Sequence, residues 1–193
     1  MLDNSQRDAF IYDGSSTAFG RHAGALSPVR PDDLLAHAIK SVVERNAFEA
    51  DAYEDVIMGN TNGAGEDCRN VARFASLRAG MPTSVAGLTV NRLCGSGLAA
   101  TLDAARGVKA GEGELFLAGG VESMSRAPIV MSKAHTAFDR GQQIADSTLG
   151  ARFTNPVYAA EFGNDTMPQT ADNIASDLDI SREDSDVFAA ASQ

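Results

Sequence analysis

Ser84-Val85-Ala86-Gly87-Leu88-Thr89-Val90-Asn91-Arg92-Leu93-Cys94-Gly95-Ser96-Gly97-Leu98-Ala99-Ala100 is the stretch that decides the fold. Its first seven residues are β-branched and apolar enough for a buried strand. From Gly95 to Lys109 the residues are small or helix-forming, with Leu98, Leu102 and Ala105 on one face. A strand running into a helix puts Cys94 at a helix N-terminus, where unpaired N–H groups and the positive end of the dipole gather. Both favour thiolate over thiol, and the thiolate is the form that attacks. Gly95 and Gly97 carry no side chain, which lets an acyl group and its carrier come close to the sulfur. A lone cysteine among small residues also fits a buried, inert side chain, and the spacing alone leaves both readings open.

The same alternation extends outward on both sides. Ala9 to Tyr12 reads as a short strand, Asp32 to Asn46 as an amphipathic helix with Pro31 and two aspartates at its start, and Val56 to Gly59 as a buried strand. Asn70 to Ala79 is a helix stopped by Gly80 and Pro82, and Leu115 to Ala118 is another buried strand. Such alternation predicts a sheet with helices on its faces. Catalytic residues favour the C-terminal ends of its strands, where Cys94 falls. Past Gly120 the pattern breaks, and from Val121 to Pro168 there is little periodicity; an irregular stretch of that length is unusual unless functional. Ser181 with Glu183 and Asp184 starts a helix that runs to Gln193 without glycine, cap or basic last turn.

Bulk properties narrow the class. The 193 residues, 44% hydrophobic, suffice for a domain with a real core. The net charge of -10 is scattered along the chain, which excludes the basic footprint of a nucleic-acid binder. The first residues lack an apolar signal core, and no apolar run is long enough for a membrane span. Cys68 and Cys94 suit a reducing compartment, so a cytoplasmic location is expected. No zinc-like spacing occurs, and no metal or separate cofactor is expected. His22, His37 and His135 read as surface or structural residues, and Cys68 as incidental.

The Cys94 stretch resembles the nucleophilic-cysteine motif of the thiolases, acyl-CoA acetyltransferases that join or cleave 3-oxoacyl-CoA. Three further segments resemble thiolase motifs in the same order: Asn62-Gly63-Ala64-Gly65-Glu66-Asp67-Cys68-Arg69-Asn70-Val71-Ala72-Arg73, Ala118-Gly119-Gly120-Val121-Glu122-Ser123-Met124-Ser125-Arg126-Ala127-Pro128, and Met167-Pro168-Gln169-Thr170-Ala171-Asp172-Asn173-Ile174-Ala175. Thr166, Asn91-Arg92-Leu93, Gly65-Glu66-Asp67 and Thr154-Asn155-Pro156 look closer to the 3-oxoadipyl-CoA and other degradative 3-ketoacyl-CoA thiolases. One departure stands near the first strand, where Ser16-Thr17-Ala18-Phe19-Gly20 replaces the family's usual Arg-Thr-Pro before Phe-Gly.

The resemblance implies an α/β layered fold with helices on a mixed five-stranded sheet. It implies an N-terminal domain over residues 1–120 and the start of an inserted loop domain over 121–193. It makes Cys94 the acyl-thioester nucleophile, with its own N–H as an oxyanion donor. Phe153, Thr166 and Met167 are then substrate or CoA contacts, and Gly95, Gly97, Gly119 and Gly120 close-approach glycines. Acyl-CoA and CoA are the implied ligands, acting as substrates, and a homodimer or homotetramer the implied assembly. A C-terminal half carrying a Gly-His-Pro and a Cys-x-Gly-Gly-Gly motif is implied but absent from this chain, so the 193 residues alone are expected to be inactive. The alternatives are a non-catalytic thiolase-like fragment serving as a binding or assembly module, and a ketoacyl synthase relative. The segments at Glu122–Ser125 and Met167 disfavour the latter.

Overall fold

Asp55–Gly59 forms the central strand, β1. Val56, Ile57 and Met58 are all buried because both faces of the strand are covered, as in parallel sheets generally. β2 (Ala86–Val90) and β3 (Phe116–Gly120) flank it in the order β2-β1-β3, both parallel to it. The computed structural model describes residues 7–193. The register pairs Gly59 with Val90 on one side and with Gly120 on the other, so the three strands end together and deliver their following loops to one edge.

Strand pleating then sorts the core. Val56 and Met58 meet Leu35, Ala36 and Ile39 of α1 (Pro31–Arg45) and Val71, Ala72 and Ala75 of α2 (Val71–Arg78). Ile57 points the other way, onto Ala100 and Ala104 of α3 (Ser96–Ala110). The result is three layers. Full burial of a side chain such as Ile39 contributes about 1.5–3 kcal/mol. Local signals set the helix ends. Pro31 opens α1 with Asp32 and Asp33 in its first turn. The Asn70 side chain accepts from the Arg73 N–H at 3.2 Å to start α2. Gly111, at φ 77°, closes α3 by donating to the Gly107 and Val108 carbonyls.

Three expectations need correction. A five-stranded mixed sheet does not form among the described residues; the three parallel strands make one sheet, and β4 (Ile129–Met131) and β5 (Ile144–Asp146) make a separate two-stranded antiparallel ladder. Ala9 to Tyr12 is not a strand, because no described strand pairs with it, and Phe10 and Ile11 are each 86% exposed. It is tethered instead by Asp13, whose carboxylate accepts from Arg45 at 2.6 and 2.8 Å and from Asn46 at 2.9 Å. Those bonds, the Arg45 one foremost, hold the Asp13 carboxyl well below the usual range. Third, β2 is not buried as its apolar composition suggests; it lies at the sheet edge, where the resemblance implies a strand through which copies pair, and Leu88 on it is 41% exposed.

The chain divides into two compact units, one ending at Pro128 and the other Ile129–Gln193. Val121–Pro128 falls with the first because the Val121 N–H donates to Gly59 O and Arg126 grips Glu66 with two nitrogens at 2.5 Å. The second unit holds the ladder and α4 (Pro156–Phe162), α5 (Met167–Asp177) and α6 (Arg182–Ser192). Its helices have good caps, as where Ser181 Oγ accepts from the Asp184 N–H at 3.1 Å. Yet within it Ser147 alone is buried. Among the described residues no helix is long and apolar enough to cross a membrane.

Candidate active site

Cys94 lies in the turn between β2 and α3, next to Gly95, the residue that caps the helix. Its thiol is free and exposed. Leu93, just before it, is held at φ 49°, a left-handed conformation that costs a bulky residue about 1–2 kcal/mol. Such a conformer persists only where its surroundings over-determine it. Here they do. The Leu93 N–H donates to Asn91 Oδ1 at 2.9 Å. The Leu93 carbonyl accepts from Ser96 Oγ at 2.6 Å, from the Ser96 N–H at 3.0 Å and from Thr61 Oγ1 at 3.1 Å. Ser96 Oγ in turn accepts from the Arg92 N–H at 2.8 Å, and the Gly95 N–H donates to Arg92 O at 3.1 Å. Of the N–H groups from Arg92 to Ser96, these bonds leave that of Cys94 over.

The floor of the turn is made by glycines. A Cβ on Gly59 would lie 2.3 Å from the Ser96 carbonyl carbon and 2.4 Å from the Gly97 nitrogen, so α3 rests directly on the end of β1. A Cβ on Gly120 would lie 2.8 Å from Gly59 O, and one on Gly119 3.3 Å from Met58 Sδ. Gly95 and Gly97 are different. A Cβ there would meet Arg92 O at 3.4 Å and Gly119 O at 3.8 Å, ordinary van der Waals contact, so packing within the chain does not itself require glycine at either position.

Two neighbouring loops buttress the turn. Asn91 Nδ2 donates to Thr61 O at 3.1 Å. Glu122, just past β3, accepts from the Thr61 N–H at 2.9 Å and the Asn62 N–H at 3.2 Å. Asn60 donates to Val121 O at 3.0 Å and to Asp67 at 3.1 Å, while its buried Oδ1 accepts no hydrogen bond among the described residues. Burial pushes the Asp67 carboxyl up, and the charge of Glu122 adds to the effect. Gly59, Thr61 and the strained Leu93 went unread in the sequence, whereas Glu122 reads there as a residue that caps or orients a turn, without its partners. The available signal was a polar Asn60-Thr61-Asn62 run directly after a buried strand.

Residues 9–193 match the family described as thiolase, N-terminal domain. The chain belongs to the thiolase family. It is 57% identical over 188 residues to the 3-oxoadipyl-CoA/3-oxo-5,6-dehydrosuberyl-CoA thiolase of Escherichia coli, covering 97% of this chain and 47% of that protein. It is 55% identical to the beta-ketoadipyl-CoA thiolase of Pseudomonas aeruginosa, with the same coverage of both. A crystal structure of the Bacillus anthracis acetyl-CoA acetyltransferase matches with a TM-score of 0.72 and 33% identity, covering 85% of this chain and 40% of that one. The chain thus spans about half the length of the curated relatives it matches.

In this thiolase chain the other residues singled out by sequence lie as follows. Thr166 and Met167 open α5 in the second unit; the Thr166 N–H donates to Gln169 Oε1 at 2.8 Å, and Met167 is 79% exposed. Phe153, in the same unit, sits at φ 54° ahead of α4. His22, His37 and His135 are all exposed, and within the first unit neither His22 nor His37 bonds to Cys94 among the described residues. Arg73 donates to the Val85 and Thr83 carbonyls, and Arg78 Nε pairs with Asp33 at 3.0 Å on the surface. A cavity of about 410 Å³ between Phe19–His22 and Gly120–Ser125 does not include Cys94. No group of three or more His, Cys, Asp and Glu is placed to hold a metal ion among the described residues.

Proposed function

We propose that this chain supplies the acyl-accepting half of a thiolase that cleaves 3-oxoadipyl-CoA or a similar 3-oxoacyl-CoA. The observation that carries the reading is a free, exposed Cys94 on an over-determined, strained turn at the start of α3. In the proposed reaction the Cys94 thiolate attacks the 3-keto carbon, and the C2–C3 bond breaks. The acyl group stays on sulfur as a thioester, and the C2 carbanion takes a proton and leaves as acetyl-CoA. CoA thiolate then attacks the thioester and releases the shortened acyl-CoA, freeing Cys94. The Cys94 N–H, left over by the bonds of the turn, is the donor on hand for the oxyanion of each tetrahedral intermediate.

The same observations make this half insufficient alone. Nucleophilic catalysis needs a base and a proton donor beside the thiol. Among the described residues neither His22 nor His37 bonds to Cys94, and the thiol is exposed. A complementary half supplies both groups and the cover. The open edge at β2 is the surface through which two copies pair, since an uncovered edge strand is a template for strand addition. Two free thiols fit a cytoplasmic enzyme. Relatives at 51% identity and above are thiolases of the 3-oxoadipyl-CoA or beta-ketoadipyl-CoA type, which supports a dicarboxylic 3-oxoacyl chain as substrate.

The test is CoA-dependent cleavage of 3-oxoadipyl-CoA. The chain joined by its complementary half should turn over, residues 1–193 alone should not, and Cys94→Ser should lower turnover by about 1,000-fold or more. Turnover by residues 1–193 alone would overturn the half-site reading and send the search for a base to His22, His37 and His135.

A further inference from the structure

We infer that Glu122 is a positioning residue for Cys94, acting through Thr61 rather than through substrate. The inference rests on the acyl-accepting role proposed for Cys94. Glu122 follows β3, Thr61 follows β1 and Cys94 follows β2, so the relay crosses all three strand ends of the sheet. Both carboxylate oxygens of Glu122 are used on one loop, Oε2 on the Thr61 N–H at 2.9 Å and Oε1 on the Asn62 N–H at 3.2 Å. That fixes the Thr61 backbone. The Thr61 hydroxyl then donates to the Leu93 carbonyl at 3.1 Å, and the Thr61 carbonyl accepts from Asn91 Nδ2 at 3.1 Å. Asn91 also receives the Leu93 N–H. Leu93 is therefore held at both its N–H and its C=O by groups whose positions depend on Thr61. Leu93 is also the residue that needs holding, since its φ of 49° is uphill for leucine.

The geometry explains why a carboxylate stands there. Two adjacent N–H groups converge on one side chain, and a carboxylate accepts both with charge assistance. A glutamine at the same place accepts one and turns an N–H₂ toward the other. Nothing in the relay asks Glu122 to touch the acyl group.

The test is a double-mutant cycle in the 193-residue chain, with Glu122→Gln, Thr61→Val and the pair. Two readouts are followed: amide hydrogen exchange by NMR, and the rate of iodoacetamide alkylation at Cys94 with Cys68 as the internal control. Glu122→Gln should speed exchange at Leu93, Gly95 and Ser96 roughly five- to tenfold, the size expected for the net loss of one ordinary hydrogen bond. It should also change the Cys94 alkylation rate and leave that of Cys68 alone. In the Thr61→Val background the same substitution should move the turn and Cys94 less than in the parent while still loosening Asn62, because the hydroxyl link to Leu93 is cut and only the link through the Thr61 carbonyl and Asn91 remains. A merely structural role would instead give effects that multiply. Multiplying effects, or a Cys94 turn indifferent to Glu122→Gln while the Asn62 amide responds, would overturn the inference. Unchanged protection in α1 and α2 shows that each variant is folded; if Glu122→Gln is not, Glu122→Asp, which keeps the charge and shortens the reach, replaces it and should give the same pattern. Failure of the functional reading looks different: Cys94 takes no acyl group when the complementary half is present, while the exchange pattern stands.

Discussion

Cys68 and Cys94 occupy turns that look alike. Both are free thiols, both stand just ahead of a helix, and both turns contain left-handed non-glycine residues: Cys68 itself at φ 52° and Arg69 at φ 65° in one, Leu93 at φ 49° in the other. They differ in what is left for a substrate. The Cys68 N–H donates to Gly65 O at 3.1 Å, its thiol donates to Glu66 O at 3.4 Å, and its side chain is half-buried. At Cys94 the thiol is exposed, the residue after it adds no side chain, and the bonds of the turn spare its N–H. Backbone strain thus marks a turn worth inspecting, and access with an uncommitted donor separates a candidate nucleophile from a structural cysteine.

The contrast is broken most sharply by serine substitution. Cys94→Ser should abolish acyl transfer in the protein that includes the complementary half, whereas Cys68→Ser should stay within about twofold of the parent, since a surface-adjacent change of one atom lies within the usual ±0.5 kcal/mol. Equal losses in steady-state turnover would erase the distinction. Alkylation of the isolated chain gives the next largest effect. Iodoacetamide should modify Cys94 at least about tenfold faster than Cys68, because reaction follows thiol access; peptide mapping of a time course reads both rates at once.

A smaller effect tests the floor of the turn. Gly59→Ala forces a methyl against the Ser96 backbone and should cost about 1–3 kcal/mol, measured by urea denaturation. It should also shift alkylation at Cys94 without touching Cys68, whose turn does not rest on Gly59. The smallest effect concerns Asp67, the neighbour of Cys68. Burial raises its folded-state pKa above the unfolded value. Its contribution to stability is therefore fully present below the ordinary carboxylate range and is lost as pH rises through the raised pKa. Asp67→Asn keeps an acceptor for Asn60 and removes the buried charge. Its Tm should exceed that of the parent at neutral pH, and the gap should close in acid. A gap that widens in acid would contradict the assignment.

Much of this was legible in the chain itself. The apolar run into small residues around Cys94, the buried strand at Val56 to Gly59 and the helices at Pro31 and Asn70 all stand where their local signals put them. What was hidden depends on distance. Nothing in Ser84 to Val90 says that β2 lies at an edge, because periodicity reports faces and not neighbours. Ala9 to Tyr12 has strand composition, but a strand exists only with a partner. Leucine gives no hint of a left-handed conformation, since Leu93 is held there by Thr61, Asn91 and Ser96. Glu122 reads in the sequence as a turn-orienting residue, but which turn it orients was hidden because its partner Thr61 is 61 positions away. In the second unit, capping residues marked the helices well, but amphipathic pattern did not announce a core, and Val187 and Phe188 of α6 remain exposed.

One measurement bears on the central claim most directly. The protein including its complementary half is mixed with a 3-oxoacyl-CoA in the absence of free CoA, quenched in acid and digested. The peptides containing Cys68 and Cys94 are then weighed by mass spectrometry. The account predicts the acyl mass on the Cys94 peptide and none on that of Cys68. An acyl group on Cys68, or on neither cysteine while acetyl-CoA is released, would contradict it.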